Sequence, residues 1–74
     1  MYQLTLSQSE WKRLRYVAKC KMYEKDLTQK DLADMTGYTV SSIQQFFHEN
    51  SSRFVALAIV KALGIDIEEI RKKG

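Results

Sequence analysis

The sequence predicts an all-α domain, a compact five-helix bundle with a short extended N-terminal arm. Three observations carry this expectation. Apolar residues recur at spacings of three and four along most of the chain, as in Trp11, Leu14, Ala18 and Met22. Capping residues stand where helices should begin (Ser7, Thr28, Thr39, Ser51 or Ser52, Asp66), and Gly37 and Gly64 stand where helices should end. There is no proline and there are only three glycines, so the regularly spaced turns of a strand-rich chain are missing.

Met1 to Leu6 forms the exception. Tyr2, Leu4 and Leu6 alternate with Gln3 and Thr5, a strand pattern too short to make a sheet alone. It packs as an extended arm against the bundle or pairs with a second copy. Ser7 and Glu10 form a capping box for a first helix near 8–24. The second helix is expected near 28–36, with Thr28 as cap and Asp31 completing its box, and Ala33 small enough for a close helix crossing. Gly37 supplies the left-handed turn and Thr39 caps a third helix near 40–48, in which Ile43, Phe46 and Phe47 share a face. A fourth helix near 52–63 is apolar on most sides and should be central. Gly64 ends it, and Asp66 with Glu69 caps a fifth near 66–73, where Ile67 and Ile70 face inward and Arg71 to Lys73 suit the negative helix end. The expected buried set is Trp11, Leu14, Leu32, Ile43, Phe47, Leu57 and Leu63. Residues 1–6 are read as the arm and 7–74 as a single domain.

Two short helices joined by a tight glycine turn over residues 28–47 make a helix-turn-helix. The segment resembles the helix-turn-helix of the phage repressor and Cro family, also called the xenobiotic-response-element family. That family places Gln at the opening of the first motif helix, Ala four residues on, Gly at the turn and an aliphatic residue six further; Gln29, Ala33, Gly37 and Ile43 fill these positions. Ile59-Val60-Lys61-Ala62-Leu63-Gly64-Ile65-Asp66 is similar to the family's closing helix, so the resemblance covers about residues 12 to 70. It implies a lambda-repressor-like DNA-binding fold.

Composition agrees. Seventy-four residues with 45% hydrophobic content make one small globular domain with a thin core. A net charge of +3 fits a polyanionic partner, and the cations crowd the N-terminal half, from Lys12 through Lys30, with a second group at Arg71, Lys72 and Lys73. Each of the first group reads equally as a solvated helix face or as a phosphate contact. No apolar run spans a membrane, the N-terminus lacks signal-peptide regions, and the single Cys20 rules out an internal disulfide, so a cytoplasmic location is expected. By helical angle Cys20 lies opposite Trp11 and should be exposed. One Cys and one His cannot build a structural zinc site, and His48 has no nucleophile beside it. Neither enzymatic activity, a metal nor a cofactor is expected. Tyr2, Tyr16, Tyr23 and Tyr38 are scattered across elements and do not line one strand face.

On the third helix, Ser41, Gln45 and His48 point away from the Ile43 face, flanked by Gln44 and Ser42. The N-terminal part of such a helix lies in the major groove, so Val40, Ser41, Gln44 and Gln45 are the base-reading candidates. Glutamine can bond bidentately to adenine N6 and N7, and Val40 can meet a thymine methyl. Related repressors frequently carry Gln in this region, from which Val40 departs.

Residues 40–48 contain no Lys or Arg, so phosphate contacts must come from their surroundings. Thr28 and Gln29 open the second helix, whose free N–H groups attract a phosphate, and the resemblance puts Gln29 in that role. Tyr38, Thr39, Ser42, Asn50 and Arg53 flank the reading helix and complete the phosphate-binding set. The family often has an arginine late in the first helix; here Lys21 or Lys25 would substitute.

The expected function is sequence-specific binding of a palindromic double-stranded DNA operator by a homodimer, as in a phage or mobile-element repressor. Ile59, Val60, Ile67 and Ile70 supply the candidate dimer surface. The alternative is a protein-interaction module on the same fold, such as an antitoxin or a phage-encoded inhibitor. Steep salt dependence of duplex binding separates the two.

Overall fold

A computed structural model of the chain describes residues 6–48 and 52–72. Five helices follow one another: α1 (Gln8–Lys25), α2 (Gln29–Thr36), α3 (Val40–His48), α4 (Arg53–Leu63) and α5 (Ile67–Lys72). No strand occurs among the described residues. The arm expected over residues 1–6 lies outside them except for Leu6, which packs half-buried on the core. No helix among the described residues is long and apolar enough to cross a membrane.

Local chemistry sets the helix ends. The Ser7 hydroxyl accepts the Glu10 N–H at 3.3 Å while the Ser7 N–H donates to the Glu10 carboxylate at 2.8 Å, the reciprocal box expected from sequence. Thr28 and Asp31 repeat it at 3.1 and 2.9 Å. Thr39 accepts the Ser42 N–H at 3.1 Å, and Ser52, the nearer of the two candidate serines, caps α4 through the Val55 N–H at 3.2 Å. The Asp66 carboxylate caps α5 through the Glu68 N–H at 3.0 Å, two residues on, while the Glu69 N–H donates to the Asp66 carbonyl at 3.1 Å.

Helix α1 runs to Lys25, one residue past its expected end, with no glycine to stop it. Asp26 closes it in the left-handed region (φ 56°, ψ 47°), where its N–H reaches the Tyr23 carbonyl and the Leu27 N–H reaches that of Met22. Gly64 and Ile65 close α4 with the same pair of bonds, to the Lys61 and Val60 carbonyls. One site has the glycine this geometry favours; the other has an aspartate.

Helix α4 is central, packed by α1, α2 and α3, while α5 folds back on α1. The core comprises Leu14, Ala18 and Met22 of α1, Leu32 and Ala33 of α2, Ile43 and Phe46 of α3, Val55, Ala56, Ile59, Val60 and Leu63 of α4, Ile65, and Ile67 and Ile70 of α5. It holds no polar or charged residue among those described. The Arg13 guanidinium donates to the Ile70 carbonyl at 2.8 Å and so satisfies one of the acceptors that the last turn of α5 leaves open.

Several expectations are corrected. Phe46, not Phe47, is the fully buried aromatic of α3. The helix is rolled so that its Ile43–Phe46 edge enters the core, leaving Phe47 half-buried, edge-on to Phe46 at 4.9 Å with the Lys19 ammonium 6.0 Å from its ring. Trp11 and Leu57 are likewise half-buried at the margin. Cys20 is half-buried, since its flank of α1 is not fully turned to solvent. Ile59, Val60, Ile67 and Ile70 are not a surplus apolar surface. They are 0 to 6% exposed, because α5 lies back over α1 and these side chains of α4 turn into the core. Only Val60 and Ile67 show an edge, in a shallow groove between α4 and α5.

Candidate nucleic-acid interface

The placement of α3 begins with the turn before it. Gly37 has φ 81°, and a Cβ there would meet nothing within 4 Å, so glycine is needed for its backbone angle and not for room. Thr36, whose part sequence did not reveal, ties down the end of α2. Its hydroxyl donates to the Leu32 carbonyl at 2.9 Å, and its oxygen lies 3.4 Å from the Tyr38 N–H. Met35, in the last turn of α2, is 51% exposed.

Thr39 then starts α3, and Ile43 and Phe46, both fully buried, anchor it on α2 and α4. Anchoring one edge fixes the other. Val40, Ser41, Gln44 and Gln45 are all exposed, together with His48. The four base-reading candidates therefore stand on the solvent side of a helix whose opposite edge is rigidly packed. A helix of nine residues at 1.5 Å each is about 13 Å long, enough to lie in a major groove.

The phosphate candidates divide by what already occupies them. Arg53 is exposed in the first turn of α4, and Tyr38 and Thr39 are exposed beside the start of α3. Ser42 is half-buried, and its hydroxyl oxygen accepts a hydrogen bond from the Thr39 hydroxyl at 3.1 Å. Asn50 lies outside the described residues. At the start of α2, Thr28 is exposed and Gln29 half-buried, but the capping box occupies the N–H groups of Thr28 and Asp31. Those of Gln29 and Lys30, in the first turn of α2, have no partner within the helix. Hydrogen bonding by the Thr28 backbone N–H, with a second contribution from the Thr28 side chain, holds the Asp31 carboxyl below its ordinary value of 3.8. A carboxylate thus sits at the positive end of α2, and Lys30 beside it offsets that charge. Lys21 is half-buried and Lys25 exposed in the last turns of α1.

The arrangement is that of a helix-turn-helix domain: a short supporting helix, a left-handed glycine turn, and a second helix presenting short polar side chains. A family model described as Helix-turn-helix matches residues 18–70, well over half of the chain. The chain belongs to this family, the Cro/C1-type or xenobiotic-response-element helix-turn-helix proteins, and is a DNA-binding regulator. No curated protein and no solved structure gives a match.

Proposed function

We propose that the chain is a sequence-specific transcriptional repressor of the phage or mobile-element kind, binding a palindromic operator as a homodimer. One observation carries the reading. The exposed edge of α3 offers Val40, Ser41, Gln44 and Gln45 to a base edge, with no charged side chain among them. On a helix lying in the major groove such side chains meet base edges, where the amide and hydroxyl groups of Gln44, Gln45 and Ser41 can discriminate between pairs. Gln44 and Gln45 fit A·T pairs, and Val40 fits a thymine methyl. Thr28, Gln29, Tyr38, Thr39, Ser42, Asn50 and Arg53 hold the backbone on either side. A bound dimer would occupy two successive major grooves about 34 Å apart, and occupying them is enough to exclude other proteins.

Dimer contacts must use surface that the monomer leaves exposed. Phe54, 71% exposed, and the half-buried Leu57 lie on one face of α4, beside the groove of about 500 Å³ floored by Val60, Ile65 and Ile67. Phe54 of each copy entering the groove of the other would make an isologous contact. The regulator acts by binding, without catalysis. The decisive experiment selects duplexes from a random pool and sequences the bound fraction. Convergence on an inverted repeat supports the proposal, and a pool that converges on no sequence rejects it. Sedimentation of the Phe54→Ser variant on the selected site tests the dimer: loss of two-to-one binding is expected, and unchanged stoichiometry rules this contact out.

A further inference from the structure

Helix α1 carries an exposed face that the reading of DNA does not use. Lys12, Tyr16, Lys19 and Tyr23 are spaced four, three and four residues apart, and at 100° per residue they fall within about 60° of arc. Sequence order scatters the tyrosines; the helix brings these two to one side. Tyr16 is 69% and Tyr23 86% exposed, on the side of α1 turned away from Leu14, Ala18 and Met22, which pack on the core. Arg15 flanks the same face, and the acidic residues of the helix lie off it, Glu10 about 150° and Glu24 about 110° from its centre. Among the described residues Lys12, Arg15 and Lys19 form no ion pair.

We propose that this face is a docking ridge for an acidic amphipathic helix of a partner protein. The spacing is that of an a/d seam, with tyrosine at each a position and lysine at each d position. It runs about 16 Å from Lys12 to Tyr23, three turns of helix. The tyrosines supply large rigid contact area with a hydroxyl that finds a carboxylate, the side-chain type that dominates interface energies. The lysine stems lie along the partner while their ammonium groups meet its Glu and Asp side chains, so the charge of the ridge selects an anionic partner. A single-stranded nucleic acid also has the charge. It is the poorer fit because such strands bind in grooves that track the backbone, whereas α1 offers a convex ridge, which interlocks with another helix. The ridge shares no residue with the exposed edge of α3, and its one neighbour on that helix is Phe47, whose ring centre lies 6.0 Å from the Lys19 ammonium.

The test uses the intact protein and three labelled probes in fluorescence anisotropy: a three-heptad helical peptide with a Leu and Glu seam, its Leu and Lys counterpart, and oligothymidine. The acidic helix should bind and the basic one should not. Tyr16→Ser with Tyr23→Ser should weaken it about tenfold or more while the thermal midpoint stays put, since both rings are exposed. Lys12→Glu with Lys19→Glu should reverse the preference to the basic helix, an outcome that mere unfolding cannot produce. Failure of the acidic helix to bind, indifference to the tyrosine pair, or tighter binding of oligothymidine at the same residues would overturn the proposal.

Discussion

Helices α3 and α4 lie against each other and are close in length, at 9 and 11 residues, yet they use their surfaces in opposite ways. Helix α4 buries Val55, Ala56, Ile59, Val60 and Leu63, so it is apolar nearly all round and serves as the axis on which α1, α2 and α3 pack. Helix α3 fully buries only Ile43 and Phe46, keeps Ser42 and Phe47 half-buried beside them, and exposes Val40, Ser41, Gln44, Gln45 and His48. A narrow apolar stripe is sufficient to orient a helix, and everything outside that stripe is then free to vary for recognition. The proposed function thus places stability and specificity in adjacent helices, where they can be perturbed separately.

The largest effect is expected where that division is most one-sided. Ile59 is fully buried at the centre of α4. Ile59→Ala should cost about 2–5 kcal/mol, a transfer loss plus the cavity left behind. Against a total of about 5–15 kcal/mol for a typical domain, much of the folded population is at risk. Urea titration followed by circular dichroism checks this. A loss under about 1 kcal/mol would mean that α4 is not the axis of the fold.

On α3 the expectation inverts. Gln45→Ala should reduce affinity for the selected operator by about 1–3 kcal/mol and flatten discrimination at one base pair. Because Gln45 is exposed, the thermal midpoint should hardly move. Arg53→Ala, at the exposed start of α4, should weaken all duplexes alike and lower the slope of log affinity against log salt by about 0.9, the release of one counterion. Titrations of both variants at two salt concentrations on the selected and a scrambled site separate the roles. An unchanged affinity ratio for Gln45→Ala would remove α3 from base reading.

The same division explains what could be read without coordinates. Capping boxes, helix periods and the Gly37 turn are local, so Ser7, Glu10, Thr28, Asp31, Thr39 and Gly64 act as the sequence implies. Which of two adjacent apolar residues faces inward is decided by how a helix is rolled on its neighbours. Period alone could not separate Phe46 from Phe47, although it did turn Ile67 and Ile70 inward, where both are buried. The polar edge of α3 was legible because it is the complement of a strong stripe. The ridge on α1 was not, because no single short motif spans Lys12 to Tyr23.

A smaller effect, of opposite sign, sits at the end of α1. Asp26 is the only residue other than glycine with positive φ among those described, while Gly37 and Gly64 meet the same demand at two other helix ends. Aspartate tolerates this region better than most residues but still carries a Cβ that crowds the following carbonyl. Asp26→Gly should therefore stabilise the protein by about 0.5–1 kcal/mol, and Asp26→Ala should destabilise it by a similar amount. Neither change should alter operator discrimination, since the site is remote in sequence from α3. Paired thermal melts check both signs, and a destabilising glycine would show that the Asp26 side chain makes a contribution larger than its backbone strain.

The smallest effect concerns acid, and it distinguishes the support of α3 from that of α4. Asp31 is ionised at the start of α2, held below 3.8 chiefly by the Thr28 backbone N–H. A depressed folded value means that the carboxylate's contribution is fully present above the ordinary value of 3.8 and is lost as pH falls through the lower folded value. Asp31→Asn keeps an acceptor for the Thr28 N–H but has no proton to gain and no charge to set against the positive end of α2. It should be slightly less stable than the parent at neutral pH, and the gap should close as the solution is acidified through that window. Ser52, which caps α4 through a hydroxyl, has no such titration, so α2 and its reading helix should become acid-sensitive before α4 does. Urea midpoints of the two proteins from neutral pH downward measure the gap. A gap that persists into strong acid would assign the role of Asp31 to hydrogen-bond geometry and not to its charge.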